Sequence, residues 1–419
     1  MLFKLKNLLG KYGAAHAARL IGRYVLYTAE AYLGPGRDER APVEELLGEI
    51  RAGGFERIIL RRGSFGWHTP LFQRAQQLAR ALGRRGCLVL YEAAPPHDRL
   101  RGVKKLGEGL WLVDLRAPRL RQAIEKTAED GGLPRYLMLA SPESRLPPRL
   151  LDSYSGAGWT LLYDYIDALC AEIGGGGRVP RRTRALYERA MTDKSCVVIA
   201  SALALQRDAA RHGRKALLVE NGVDCARFSD PGPLPEDLRF RTLLERGRPI
   251  VGYYGALARW LDYEALRRIA ADGRFTLLLI GLRYDESFER ELAGREGVVF
   301  LGPRPYGSLP AYAARCDVLL VPFRRGEVGD AASPVKLFEY MALGVPVVAG
   351  DTAECRRCRS VLIARDPEDY IRRIEQALLL RDDAAYMAGE REEALAADWL
   401  RRAETLCSAL REREKIKAE

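Results

Sequence analysis

The residues with the clearest chemical content run from Ser333 to Val348, SPVKLFEYMALGVPVV. Ser333 suits a helix N-cap, Pro334 its first turn, Gly344 a left-handed end, and Pro346 the start of a strand. A helix pinned in this way presents free backbone N–H groups and the positive end of its dipole, a ready site for an anion such as a diphosphate. Lys336 adds a positive charge there. Glu339, three residues on and on the same face, can accept hydrogen bonds from a pair of sugar hydroxyls one turn deeper than the phosphate. The alternative is an ordinary surface pair at i,i+3. Against it, the chain uses lysine only once between Lys215 and Lys415, at 336, where a compact point charge differs from the planar fork of arginine.

Other candidates lie at the ends of expected strands. Gly255, with Arg259 and a helix after it, reads as a glycine loop approaching a phosphate. In the first half, the Tyr163–Asp167 run YDYID sits at the carboxyl end of a strand and is followed by the Gly174–Gly177 run, read as a mobile loop. Asp167 is the expected general base for an acceptor hydroxyl; Asp164 is either a second carboxylate or a cap. His68, in the Ser64–Thr69 loop, is the rival base. Metal ligands are poorly represented: no Asp-X-Asp occurs, there are four histidines, and Cys355-Arg356-Arg357-Cys358 lacks a second cysteine pair. The expectation is an enzyme without metal or cofactor. The absence of GxGxxG with a following acid disfavours a nicotinamide enzyme.

The elements that must position these residues alternate strand and helix twice over. Strands are expected at 57–62, 86–91, 136–140, 160–163 and 196–200, and again at 249–253, 275–280, 297–300, 318–321, 345–349 and 361–363. Such alternation implies two doubly wound α/β domains with parallel sheets and a ligand cleft at the carboxyl ends of the strands. The expected boundaries are a basic amphipathic region at 1–41, a first domain at 42–228, a linker at 229–248, a second domain at 249–398 and a closing helix at 399–419. In that last segment Trp399, Ala403, Leu406 and Leu410 recur at helical spacing.

Composition bounds the rest. The 419 residues are 47% hydrophobic and 29% charged, an ordinary globular balance, and allow two or three domains. No apolar run is long enough to span a bilayer, and the eight cysteines scatter as reduced core thiols do, which fits a cytoplasmic protein. The net charge of +11 comes from 67 basic and 56 acidic residues dispersed along the chain, so nucleic acid is not an expected partner. Residues 1–24 are the exception, with Lys4, Lys6, Lys11, Arg19 and Arg23 and no acid. They read either as a docking helix or as an interfacial helix drawn to an anionic membrane.

The Ser333–Val348 stretch closely resembles the donor-binding signature of GT-B glycosyltransferases, and the resemblance extends over about residues 55–400. Phe300-Leu301-Gly302, Leu309-Pro310-Ala311-Tyr312 and Cys316-Asp317-Val318 resemble the segment before that helix. Asn221-Gly222-Val223-Asp224 with Phe228, and Pro249–Ala256 with Trp260 and Asp262, resemble the approach to the second domain and its first strand. Trp67, Gln73-Arg74 and Leu78-Ala79 before Leu88–Tyr91 resemble the opening unit of exopolysaccharide and teichuronic-acid type transferases. The resemblance implies donor contacts from Gly255, Arg259, Gly281, Tyr306, Ser333, Pro334, Lys336, Leu337 and Glu339, with Tyr306 stacking on the base and Ser64 and Trp67 on the acceptor side. It implies transfer from a nucleotide-diphosphate sugar, a UDP-sugar first, to a saccharide or lipid-linked acceptor. Many retaining members carry a glutamate eight residues before the position of Glu339; here it is Ala331, which resembles the inverting branch. A nucleotide-sugar epimerase and a non-catalytic nucleotide-sugar binding subunit are the alternatives.

Overall fold

The computed structural model describes residues 22, 26, 39–69, 72–95, 97–142, 146–169, 179–326 and 333–419. The amphipathic reading of residues 1–24, the Gly174–Gly177 run and Ala331 therefore lie outside the described residues, apart from Gly22. The described chain forms two compact units, one within Met1–Val219 together with Arg402–Glu419, the other Glu220–Arg401.

In the first unit the strands are β1 (Arg57–Arg61), β2 (Cys87–Glu92), β3 (Val103–Gly107), β4 (Leu110–Val113), β5 (Arg135–Ala140), β6 (Thr160–Tyr165), β7 (Val197–Ala200) and β8 (Leu217–Leu218). They order as β3-β4-β2-β1-β5-β6-β7-β8, parallel except for the β3–β4 hairpin. Every residue of β1 is buried, as expected for a strand covered on both faces. The hairpin is absent from the sequence reading. Its outer strand carries exposed Lys104 and Lys105, which blunt a sheet edge but erase the apolar signal.

The second unit holds β9 (Ile250–Tyr254), β10 (Thr276–Ile280), β11 (Val298–Gly302), β12 (Val318–Val321), β13 (Val347–Gly350) and β14 (Leu362–Ala364). The order β11-β10-β9-β12-β13-β14 is parallel throughout. The expected linker at 229–248 is instead part of this unit. Asp237 caps a helix, Leu238–Glu245, whose Phe240 and Leu243 are buried in the core. Proline, glycine and charge mark only the turn before that helix; two apolar residues at i,i+3 suffice to dock it.

The closing helix, Trp399–Ala418, buries Trp399, Ala403, Leu406 and Leu410. From Arg402 onward it belongs to the first unit. There Glu414 takes the Arg57 guanidinium through Nε (3.0 Å) and Nη2 (3.1 Å) and the Tyr136 hydroxyl at 2.8 Å, while the Sγ atoms of Cys407 and Cys87 lie 3.7 Å apart. Arg57 is fully buried, so this carboxylate, together with Glu56 at 2.9 Å from Nη1, answers a charge that would otherwise be costly to remove from water.

Candidate functional site

The helix of the signature spans Val335–Leu343 and ends at Gly344, whose φ of 70° is the left-handed turn that glycine tolerates. Its N-cap is Pro334, not Ser333. Proline holds the preceding residue out of the helical region, which moves Ser333 one position outside. Ser333 is buried, and its Oγ has no hydrogen-bond partner among the described residues; its carbonyl accepts from Asn221 Nδ2 at 2.5 Å. Pro334 has no N–H, and the Leu337 N–H is spent on the Pro334 carbonyl at 3.1 Å. The donors left at this helix end are the amides of Val335 and Lys336. The Leu337 side chain is 1% exposed in the core, so its expected donor contact is not available to it.

Gly255 and Gly281 end the adjacent strands β9 and β10 with φ of 147° each. A Cβ on Gly281 would lie 1.8 Å from the Gly255 carbonyl oxygen, and one on Gly255 would lie 2.8 Å from Lys336 Cε. The two glycines thus let two strand ends close on each other and let the lysine lie against the backbone. Their amides do not face a phosphate: Gly255 N–H donates to Ile280 at 2.9 Å and Gly281 N–H to Gly302 at 3.0 Å. The Lys336 ammonium sits over the rings of Phe323 (5.1 Å) and Tyr253 (5.6 Å). Burial lowers its pKa to about 8, with the Glu339 charge acting the other way. Arg259 is exposed and held by Asp285, backbone N–H at 3.0 Å and Nε at 3.4 Å, rather than aimed at the glycine turn.

Glu339 is 2% exposed and makes no ion pair with Lys336. Each of its oxygens accepts a phenol: Oε2 from Tyr254 at 2.6 Å and Oε1 from Tyr306 at 2.8 Å. Burial raises its pKa, while the two hydroxyls and Lys336 pull it back. Tyr306 is therefore committed to Glu339 through its hydroxyl; its ring lies 5.9 Å from Phe228, with the Arg227 guanidinium at 5.8 Å. The sequence reading missed Tyr254, whose only signal is a second tyrosine at the end of an apolar strand. It also missed the Asn221 side chain as the tie that holds Ser333.

In the first unit, the Arg74 guanidinium grips Asp164 with Nε at 3.0 Å and Nη2 at 2.8 Å, both residues being buried. Asp164 is thereby a structural anion and not an available base. Asp167, two residues beyond β6, is tied by its backbone to the Ser141 hydroxyl, donating and accepting at 3.2 Å. Its carboxyl is raised to about 6, by burial first and by the neighbouring Asp164 second, against Arg74. His68 leaves 49% of its side chain exposed and sets its Nδ1 2.9 Å from Oδ1 of the fully buried Asp98. Asp98 also accepts the N–H groups of Trp67, His68 and Ala94, each at 2.8 Å. Nothing in the sequence motif marks Asp98, thirty residues away. Ser64 is exposed in the same loop. Trp67, expected on the acceptor side, is 8% exposed and packs edge-on against Phe72 and Tyr91, each 5.4 Å away. It anchors the loop instead.

Among the described residues no group of three His, Cys, Asp or Glu side chains could hold a metal ion, and no helix is long and apolar enough to cross a membrane. Residues 248–382 match the family described as Glycosyl transferases group 1. Over 195 residues the chain is 28% identical to TuaH of Bacillus subtilis, a teichuronic acid biosynthesis glycosyltransferase by name, covering 44% of this chain and 48% of that one. Over 184 residues it is 32% identical to a GDP-mannose-dependent alpha-mannosyltransferase of Mycolicibacterium smegmatis, covering 42% and 46%. The chain thus spans about half the length of the curated relatives it matches. Among solved structures, sucrose-phosphate synthase from Thermosynechococcus elongatus superposes with a TM-score of 0.61 at 18% identity, over 87% of this chain and all of that one. Anabaena HepE in complex with UDP and glucose gives 0.57 at 17%, over 85% of this chain and all of that one. These likenesses show a shared architecture, the GT-B fold, within which residues 248–382 match the glycosyl transferases group 1 family.

Proposed function

We propose that the protein transfers a sugar from a nucleotide-diphosphate sugar to a saccharide or lipid-linked acceptor in cell-surface polysaccharide synthesis. The observation that carries this reading is the Val335–Leu343 helix, which offers two backbone amides at its start and carries Lys336 and Glu339 within the stretch that matches the group 1 family. The diphosphate lies against the amides and Lys336, which stabilise the charge that develops on it as the sugar leaves. Glu339 takes the ribose hydroxyls. A UDP-sugar is the first candidate, supported by the HepE complexes with UDP and UDP-glucose.

The proposal includes a single displacement with inversion and without metal, resting on Ala331 in the sequence and on a base from the first unit. His68 is favoured as that base: Asp98 holds Nδ1, so the Nε2 lone pair points outward from a half-exposed ring. Asp167 is the second reading, since its raised carboxyl has no hydrogen-bond partner among the described residues. Residues 1–24 are proposed to hold the enzyme on an anionic membrane face, on the strength of their five basic residues alone.

A thermal-shift panel of UDP-, GDP- and ADP-sugars tests the donor site. One nucleotide class should raise the melting temperature, and Lys336→Ala should abolish the rise. Turnover without any acceptor would instead identify an epimerase, and binding without hydrolysis or transfer a binding subunit. Flotation with anionic liposomes, compared with a chain starting at Ala41, tests the membrane part.

A further inference from the structure

Both oxygens of the carboxylate assigned to the nucleotide are already taken, and the two phenols that take them differ in how firmly they are held. Tyr254 ends strand β9, is 5% exposed and packs edge-on against Tyr340 at 4.9 Å; its backbone N–H donates to the Tyr340 hydroxyl at 3.1 Å. It cannot leave without opening the core. Tyr306 begins a single 3₁₀ turn, Tyr306–Ser308, reached through Pro303 and Pro305 after Gly302, whose φ is 78°. It is half-buried at the edge of the core, its ring 5.9 Å from Phe228 and 5.8 Å from the Arg227 guanidinium. Burial keeps both phenols neutral, so each is a donor to Glu339.

The geometry points to Tyr306 as an internal substitute for a ligand hydroxyl: its phenol bonds Oε1 of Glu339 until a nucleotide ribose binds and is then exchanged for a hydroxyl of the cis-diol, while Tyr254 stays and fixes the carboxylate. This inference rests on the reading of Glu339 as the ribose acceptor and deepens it. A buried carboxylate oxygen left bare is costly, so the substitute spares that cost until a ligand binds. The same contact must be surrendered on binding, so it subtracts from affinity and does so only for ligands that reach Oε1. Tyr306 is therefore a positioning residue that sets selectivity for the diol, not a group that touches the reacting atoms.

The test is calorimetric titration of UDP, GDP and 2′,3′-dideoxy-UDP into the wild type, Tyr306→Phe, Tyr254→Phe and Glu339→Gln. The inference requires Tyr306→Phe to bind the responding ribonucleotide about 3- to 10-fold more tightly than wild type. It also requires 2′,3′-dideoxy-UDP, which leaves the phenol in place, to bind both proteins alike, and Tyr254→Phe to bind the ribonucleotide more weakly. The melting temperature of ligand-free Tyr306→Phe should fall slightly. Unchanged or weaker ribonucleotide binding by Tyr306→Phe, with Glu339→Gln clearly impaired, overturns the exchange and leaves the donor site standing. Glu339→Gln binding as the wild type does, or no binding of either nucleotide to any of the four proteins, removes the donor site and the exchange with it.

Discussion

Asp98 Oδ1 accepts the backbone N–H of His68 at 2.8 Å and faces Nδ1 of the same residue's ring at 2.9 Å. One carboxylate oxygen thereby fixes the residue at two points, its backbone and its ring, which sets the direction of the ring.

If His68 takes the acceptor proton, His68→Gln should lower kcat about 10²- to 10⁴-fold with donor affinity nearly unchanged. Steady-state kinetics with saturating donor measures this, and proton NMR of the product against the donor reads the anomeric configuration. Full turnover by His68→Gln with loss in Asp167→Asn would move the base to Asp167, and retention of configuration would end the single-displacement scheme.

If Lys336 holds the diphosphate, donor binding depends on alkaline pH. Burial brings the ammonium down to about 8, so a charge available to a diphosphate is present below that value and lost as pH rises through it. Donor affinity should fall by about 10- to 100-fold between pH 7 and pH 9.5. In Lys336→Met it should be weak and flat over the same range. Affinity titrations at four pH values suffice to see the difference.

Two glycine substitutions should act in opposite directions. Gly281→Ala meets the Gly255 carbonyl at 1.8 Å with φ at 147°, and should cost roughly 2–5 kcal/mol or prevent folding. Gly48→Ala, on an exposed position inside the Arg40–Ala52 helix with nothing within 4 Å, should stabilise by about 0.5–1 kcal/mol. Denaturant melts of the two variants against the wild type check both signs.

Glu390 lies fully buried in the Ala384–Ala396 helix, with Oε1 accepting from the Tyr386 hydroxyl at 3.2 Å and Oε2 without a hydrogen-bond partner among the described residues. Burial lifts its carboxyl to about 9, and the Glu393 charge adds to this against Tyr386, the Val347 backbone and Arg391. The fold therefore binds a proton that the unfolded chain releases near its ordinary value. That contribution to stability is complete below about 4.5 and is lost progressively as pH rises to about 9. Glu390→Gln should remove this part of the pH dependence, seen as a flatter melting temperature between pH 5 and 9.

Much of this was legible in the sequence where one residue type has one use. Apolar runs covered on both faces gave the two parallel sheets, and Gly344 and Pro334 marked the ends of the signature helix to within one residue. What escaped is pairing across distance. Nothing near Asp164 announces Arg74, ninety residues earlier, and nothing near His68 announces Asp98. Lys336 and Glu339 read as partners because they are three apart, yet each faces aromatic residues delivered by other strands and loops: Phe323 and Tyr253 for one, Tyr254 and Tyr306 for the other. Local spacing fixes which side of a helix a residue occupies; the sheet order decides what it meets there.

The buried guanidinium of Arg57 and its carboxylate partner Glu414 are 357 positions apart. This imposes an order on assembly. The second unit, Glu220–Arg401, is contiguous and has every residue it needs once that stretch has left the ribosome. The first unit carries the earlier sequence yet must hold β1 and β2 with the Arg57 guanidinium paired to Glu56 but not to Glu414, and with Cys87 uncovered, until residues 402–419 arrive, closing a loop that encloses the whole other unit. The part of the protein made first is thus the part sealed last.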